Sequence, residues 1–245
     1  MLIPEWPAPR RVVAAVTTRA GGVSAGPFSS LNLGTHVGDD PSHVAENRRR
    51  LRQQLALPGE PLWLSQVHGT EAVRAEAVTG GVDADAAYSS QPGVICAVLT
   101  ADCLPVLLCN RAGTRVAAAH AGWAGLKAGV LESTATCFDV GDELLAWMGP
   151  AISQAHFEVG PEVREGFLDA ASDSLRELTA AAFLPSLRPG HWMADLYTLA
   201  RIRLEALGAA VFGGGLCTFA DAERFYSYRR DKVTGRMASL IYIKP

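Results

Sequence analysis

The chain has 245 residues, 49% of them hydrophobic and 19% charged, with a formal net charge of −3. That composition buries a sizeable core and excludes a disordered chain. The absence of a basic stripe argues against a nucleic-acid partner, since Arg48–Arg50 and Arg229–Arg230 are short clusters of the kind found on solvated faces or at anion sites. No apolar run reaches the roughly 18 residues of a membrane helix, and Met1 is followed by no apolar signal core, so the expected partner list contains no membrane and the expected compartment is the cytoplasm.

Val12–Thr17 reads as a strand. It runs into a long loop rich in glycine and serine, Thr18 to Gly34, whose Phe28, Leu31, Leu33 and Arg19 favour an ordered path. A helix is expected from Pro41 to about Leu57, capped by Asp40 and started by Pro41, with Val44, Leu51 and Leu55 near one face. Leu62–Leu64 is a short strand leading to Ser65-Gln66-Val67-His68-Gly69. Two apolar runs, Val94–Leu99 and Leu104–Cys109, read as buried strands with Thr100-Ala101-Asp102-Cys103 between them. A third, Arg115–Ala119, ends in His120, and Gly125 to Phe138 reads as a helix. Leu144–Met148 is a strand, Pro161–Leu168 and Ser172–Phe183 are helices, and Asp195–Leu207 is an amphipathic helix closed by Gly208. Ala209–Phe212, Arg224–Tyr228 and Met237–Ile243 complete the strands, the last two joined by a turn at Asp231–Gly235. No repeat or linker divides the chain, and strands and helices mix without a regular βαβ period. The expectation is a single domain over residues 1–245, of α+β class, with mixed β-sheets flanked by helices.

Five cysteines, at 96, 103, 109, 137 and 217, make an odd set with no C-x-x-C pair, which argues against a disulfide framework and a zinc ribbon. Cys96, Cys109 and Cys137 sit in apolar runs and read as small buried hydrophobes. Cys103 follows Asp102 in a turn between strands. Of six histidines, His36 and His43 flank a helix start and read as surface residues or caps, His156 and His191 lie in loops with no partner nearby in sequence, and His68 and His120 share the strand-end setting of Cys103. Strand ends carry sites because the scaffold fixes them while the loops vary.

A His68–Cys103–His120 set with an open fourth position suits a catalytic zinc, and the same ligands accept copper. The rival reading makes Cys103 a nucleophile with His120 as its base. Spacing alone does not separate the two. Asp83, Asp85 and Asp102 are acidic candidates that serve equally as turn braces, and Asp102 is the expected group to orient a ligand or shuttle a proton. Arg19, Arg229 and Arg230 suit a phosphate or carboxylate, and Gln66 joins them as a substrate-binding candidate. On a strand, adjacent Arg229 and Arg230 would point to opposite faces, so at most one would face a site. Trp123, Phe28, Phe225 and Tyr226 offer planar faces for a base, or simply core.

Taken in order, Thr17–Ser24, Ser30-Leu31-Asn32-Leu33, Leu64–Gly69, Thr100–Cys103, His120-Ala121-Gly122-Trp123, Gly149–Ile152, Cys217-Thr218, Phe225–Arg230 and Thr234-Gly235-Arg236 closely resemble the laccase-domain family, also called multicopper polyphenol oxidase-like or the peptidoglycan editing factor family. The resemblance spans nearly the whole chain. It departs at Ala124, where the family commonly has Arg, and Lys127 is the nearby cation that would substitute. The resemblance implies an α+β fold shared with a group of cysteine hydrolases. It implies convergence of His68, Cys103 and His120 on one metal, usually zinc. The implied activity is phosphorolysis of adenosine, inosine and methylthioadenosine to base and ribose 1-phosphate, with deamination of adenosine, so nucleoside and phosphate are the implied partners. Removal of misincorporated serine from peptidoglycan precursors is also attributed to the family, as is an older polyphenol oxidase activity. The last ranks low, because six histidines with three in site-like settings cannot build a multicopper cluster. A metal-buffering module without turnover fits poorly with so many polar strand-end residues.

Overall fold

The computed structural model describes residues 1–245. A six-stranded mixed sheet runs in the order β11 (Ala210–Gly213), β7 (Leu144–Met148), β5 (Leu104–Asn110), β6 (Val116–Ala121), β3 (Ala86–Ser89) and β2 (Ala72–Arg74). A second sheet of three antiparallel strands places β12 (Met237–Ile243) between β1 (Val12–Val16) and β4 (Ile95–Thr100). A small third sheet joins β8 (Glu158–Val159), β10 (Trp192–Ala194) and β9 (Phe183–Pro185).

The apolar runs are continuous because both faces of the two main sheets are covered. Along β5, Leu104, Val106 and Leu108 pack toward the helices, while Leu107 and Cys109 pack toward the three-stranded sheet. Along β4 the alternation repeats: Cys96 and Val98 face the large sheet, and Ile95, Ala97 and Leu99 face outward onto Leu33, Leu51 and Trp63. The layers are therefore helix, sheet, sheet, helices. The outer helix on one side is α1 (Pro41–Gln54), and the helices on the other are α2 (Trp123–Ala128), α3 (Val130–Ala135), α4 (Pro161–Ala170), α5 (Asp173–Ala181) and α6 (Leu196–Ala206). This is the α+β architecture of mixed sheets flanked by helices that the element order suggested.

Helix starts follow local chemistry. Asp40 accepts from Ser42 N–H with Pro41 in the first turn, and Asp195 accepts from Tyr197 and Thr198 N–H at the head of α6. The expected helix over Gly125–Phe138 is two helices, because Gly129 adopts φ +103 and closes α2 before α3 begins. The expected strand over Leu62–Leu64 reduces to a single bridge to Cys96. The expected strand over Arg224–Tyr228 is absent: this stretch turns into the short helix α7 (Tyr228–Asp231), because the Ser227 hydroxyl accepts from Arg230 N–H. All five cysteines are free thiols.

Leu108 is fully buried at the centre of the large sheet, whereas Leu178 on α5 is 56% exposed. Leu108→Ala is expected to cost about 2–5 kcal/mol, seen as a lower urea midpoint at unchanged m-value. Leu178→Ala is expected to stay within about 0.5 kcal/mol of the parent chain.

Candidate metal centre and its two recesses

The buried carboxylate of Asp85 organises one side of the site. It stands just before β3 and is fully shielded from solvent. Its Oδ1 meets His120 Nδ1 at 2.7 Å on the neighbouring strand β6. The same carboxylate accepts from the backbone N–H groups of Val67, His68 and Gly69 at 3.2, 3.0 and 2.6 Å. Three amides converging on one carboxylate hold the turn in which His68 adopts φ +60, a left-handed conformation costly for a residue with a Cβ. Burial alone would raise the Asp85 pKa; His120 and the amides outweigh it and hold the group below the ordinary carboxylate value.

Cys103 enters from the crossover between the sheets. The chain leaves β4 at Thr100 and joins β5 at Leu104, and Asp102 makes the corner with φ +93. Both Asp102 carboxylate oxygens are occupied at 2.6 Å, Oδ1 by the Thr218 hydroxyl and Oδ2 by the Arg229 N–H, and its carbonyl accepts from Ile152 N–H. Asp102 thus braces the corner that presents Cys103.

The ligand atoms of His68, Cys103 and His120 all lie within 4.8 Å of one another. His68 Nε2 is 3.8 Å from Cys103 Sγ, and the two imidazoles meet edge-on at 4.8 Å between centroids. Zn–S near 2.3 Å and Zn–N near 2.1 Å at tetrahedral angles imply ligand separations of about 3.5 Å, so the set closes on zinc with shifts of about an ångström. The Asp85–His120 contact is the outer partner that a ligating histidine needs, leaving Nε2 for the ion. Gly122 makes the approach possible: a Cβ there would lie 2.7 Å from His68 Cδ2 and 3.1 Å from Cys103 Sγ. One thiolate and two imidazoles, with a fourth position open, fit a single catalytic zinc and equally a copper ion.

Two recesses meet at Cys103, Ala101 and Tyr228. One, of about 130 Å³, is apolar and carries Trp123, Ile152, Phe157 and Leu196, with Arg229 in its wall. The other, of about 360 Å³, is polar and carries His36, Gln66 and Arg236 beside the two site histidines.

The anion candidates separate sharply. Arg230 spends all five N–H donors on the carbonyls of Thr218, Phe219 and Phe225 and on the Asp231 carboxylate, leaving none for a ligand. Arg19 binds the carbonyls of Ser29 and Ala222, stacks on Tyr226 and lines neither recess. Gln66 lines the polar recess, but its amide pairs both ways with the backbone of Leu99. Arg229 gives one bond to Glu158 O, lies over Phe157 and keeps its other donors. Because α7 is a helical turn, Arg229 and Arg230 diverge around the turn instead of alternating across a strand. Lys127 lies over the Trp123 ring and lines neither recess. In the sequence Asp85 reads only as a brace or an acid, Tyr228 and Arg236 only as members of the motifs Phe225–Arg230 and Thr234–Arg236, and His36 only as a residue near a helix start.

Burial raises the Cys103 thiol, but His120 and His68 overcome it and bring the group down to about 6. Burial lowers His120, but Cys103 and Asp85 overcome it and raise the imidazole to about 9. The thiol's folded value lies below its ordinary 9.0, so its contribution to stability is lost as pH falls through about 6. The imidazole's lies above its ordinary 6.5, so its contribution is lost as pH rises through about 9. Between these limits folding only moves one proton from sulfur to nitrogen, and the pair adds no pH slope to stability. In metal-free protein, alkylation of Cys103 by iodoacetamide is expected to titrate with a midpoint near 6, and zinc is expected to block it. A midpoint near the ordinary thiol value would remove the ion pair. Asp85→Asn cannot accept all four donors, and it is expected to weaken zinc about 10- to 100-fold in a chelator competition.

A family profile described as multi-copper polyphenol oxidoreductase laccase matches residues 13–244. A Pseudomonas aeruginosa protein named as a purine nucleoside phosphorylase is 58% identical over 245 residues, covering 99% of this chain and 98% of that one. The Escherichia coli protein YfiH, likewise named, is 53% identical over 249 residues at 99% and 98% coverage. Among solved structures, a Neisseria meningitidis protein superposes with a TM-score of 0.91 at 49% identity, covering 100% and 99% of the two chains. YlmD from Geobacillus stearothermophilus gives 0.85 at 32% identity, covering 96% and 93%. Profile, sequence and fold agree, and the chain belongs to the multi-copper polyphenol oxidoreductase laccase family.

Proposed function

We propose that this chain is a zinc-dependent purine nucleoside phosphorylase acting on adenosine, inosine and methylthioadenosine, with adenosine deamination as a second activity. The observation that carries the reading is the placement of the His68–Cys103–His120 cluster where an apolar recess meets a polar, cation-lined one. The names of close relatives support the same reaction class. Phosphorolysis joins a phosphate oxygen to ribose C1′ and breaks the C1′–N bond, whose electron pair leaves with the purine as it takes up a proton.

The apolar recess suits a planar base, with Trp123 and Phe157 offering ring faces and Arg229 offering N–H donors at the wall. Tyr228, 54% exposed on α7, stands at the shared mouth of both recesses. Zinc held by His68, Cys103 and His120 supplies Lewis acidity, the chemistry that attack at purine C6 requires in the deamination. Asp85 orients His120, and Asp102 acts as a positioning residue through the corner that carries Cys103. Two clustered histidines and one thiolate hold one ion, and this donor count leaves multicopper oxidation without a site.

Zinc-loaded protein is expected to release base and ribose 1-phosphate from adenosine and inosine only when phosphate is present, followed by chromatography. Cys103→Ala is expected to lose both zinc and turnover. Asp102→Asn, which keeps one acceptor of two, is expected to lower kcat about tenfold; full activity with full zinc content would remove Asp102 from the machinery. Zinc-loaded protein that leaves both nucleosides intact would end the phosphorylase reading and direct the assay to serine-containing peptidoglycan precursors.

A further inference from the structure

The polar recess continues past His36, Gln66 and Leu99 into a groove of about 480 Å³ lined by Arg48, Trp63 and Ser65. Two arginines on its walls have no carboxylate partner. Arg236 gives two bonds from Nη1, to the carbonyls of Thr234 and Gly235, and keeps Nε and Nη2 free. Arg48 gives Nε and Nη2 to the Leu33 carbonyl at 3.1 and 2.8 Å, lies over the Trp63 ring at 4.2 Å, and keeps Nη1 free. The carboxylates that reach them through space are engaged elsewhere. Glu60 pairs with Arg52 and Trp63 Nε1, and Asp102 holds Thr218 and the Arg229 N–H. Burial pushes both guanidinium pKa values down, and the two arginines together push down His36 between them after its own burial. The Cys103 sulfur and Asp102 act on Arg236 through space, and Glu60 on Arg48, but none is hydrogen-bonded to either guanidinium, and a bound anion would fill the free donors of these half-buried cations.

The chain is also built to hold these two side chains in place. Leu33 accepts from Arg48 through its carbonyl and donates its N–H to the Arg236 carbonyl, so one residue ties both walls. Asn32 Oδ1 accepts the Arg236 N–H. At Gly34 a Cβ would lie 2.9 Å from Arg236 Cγ, so the absent side chain is what lets Arg236 lie across the strap. None of these features serves the metal ligands or the apolar recess.

We propose that Arg236 and His36, with Arg48 on the adjoining wall, form the subsite that binds inorganic phosphate beside the metal cluster. This places the anion on the opposite side of Cys103 from the apolar recess, and it assigns the role to none of Arg19, Arg229 or Arg230. The assignment of phosphate as co-substrate rests on the phosphorylase reading; the anion site itself does not. Arg236 presents its free Nε and Nη2 edge, and Arg48 its free Nη1, to a tetrahedral oxyanion.

The test is calorimetric titration of zinc-loaded protein with inorganic phosphate, run beside steady-state phosphorolysis. Arg236→Gln is expected to weaken phosphate binding and raise the phosphate KM by roughly ten- to a hundredfold, with nucleoside KM and zinc content unchanged. Arg48→Gln is expected to give a smaller loss of the same kind, and Arg176→Gln on the remote face of α5 none. Gly34→Ala keeps both charges and is expected to weaken phosphate by displacing Arg236, which covers the case in which Arg236→Gln fails to fold. Loss of phosphate binding in these variants would uphold the subsite even if the parent protein made no ribose 1-phosphate, and the phosphorylase reading alone would then fall. Unchanged phosphate affinity in Arg236→Gln and Arg48→Gln, with phosphorolysis intact, would overturn the subsite and keep the reaction.

Discussion

Everything at the site hangs on one buried carboxylate. Asp85 joins a histidine on a central strand to a solvent-exposed turn that carries the other histidine. A lone buried carboxylate is unfavourable, and this one is offset by an imidazole and three amides. That demand is why the His68 turn has only one place to sit. The strained backbone at His68 and Asp102 is sustained the same way, each by a carboxylate that accepts from neighbouring segments. The two corners bear the exposed and the partly exposed ligand, and the rigid strand bears the third.

The sheet packing converts this local chemistry into a usable site. Consecutive strands β4 and β5 belong to different sheets, so the three residues between them, Ala101, Asp102 and Cys103, cross the seam where both sheets end. Cys103 emerges at that seam because β5 begins there. His120 stands opposite Pro105 in the antiparallel register, one step into the sheet. The recesses open on either side of the seam, one against the helical layer and one against the loop that covers the three-stranded sheet.

Much of this was legible in the chain. Unbroken apolar runs announced strands covered on both faces, and polar residues at their ends marked His68, Cys103 and His120 as a group. Asp85 was visible as an acidic residue before a strand, but its partners lie 16 to 35 positions away, beyond any local pattern. Arg230 looked like an anion binder because a side chain's donors can be counted from sequence while their acceptors cannot. The helical turn at Tyr228 was hidden by aromatic residues that read as a strand, since one serine cap decided the geometry. Arg236 and Arg48 sit about 190 positions apart and meet only through Leu33.

The position of β12 has a consequence for biogenesis. It is the middle strand of the three-stranded sheet, yet it follows every other strand in sequence. Until β12 has been synthesised, β1 and β4 lack their shared neighbour, leaving exposed strand edges that favour association between unfinished chains. Arg236 immediately precedes that strand, so the cationic wall of the polar recess is added in the same late event. The Cys103 corner waits on the same late stretches, because β4 pairs with β12 and Asp102 is braced by Thr218 and Arg229, so the thiol and the cationic wall are fixed in place together.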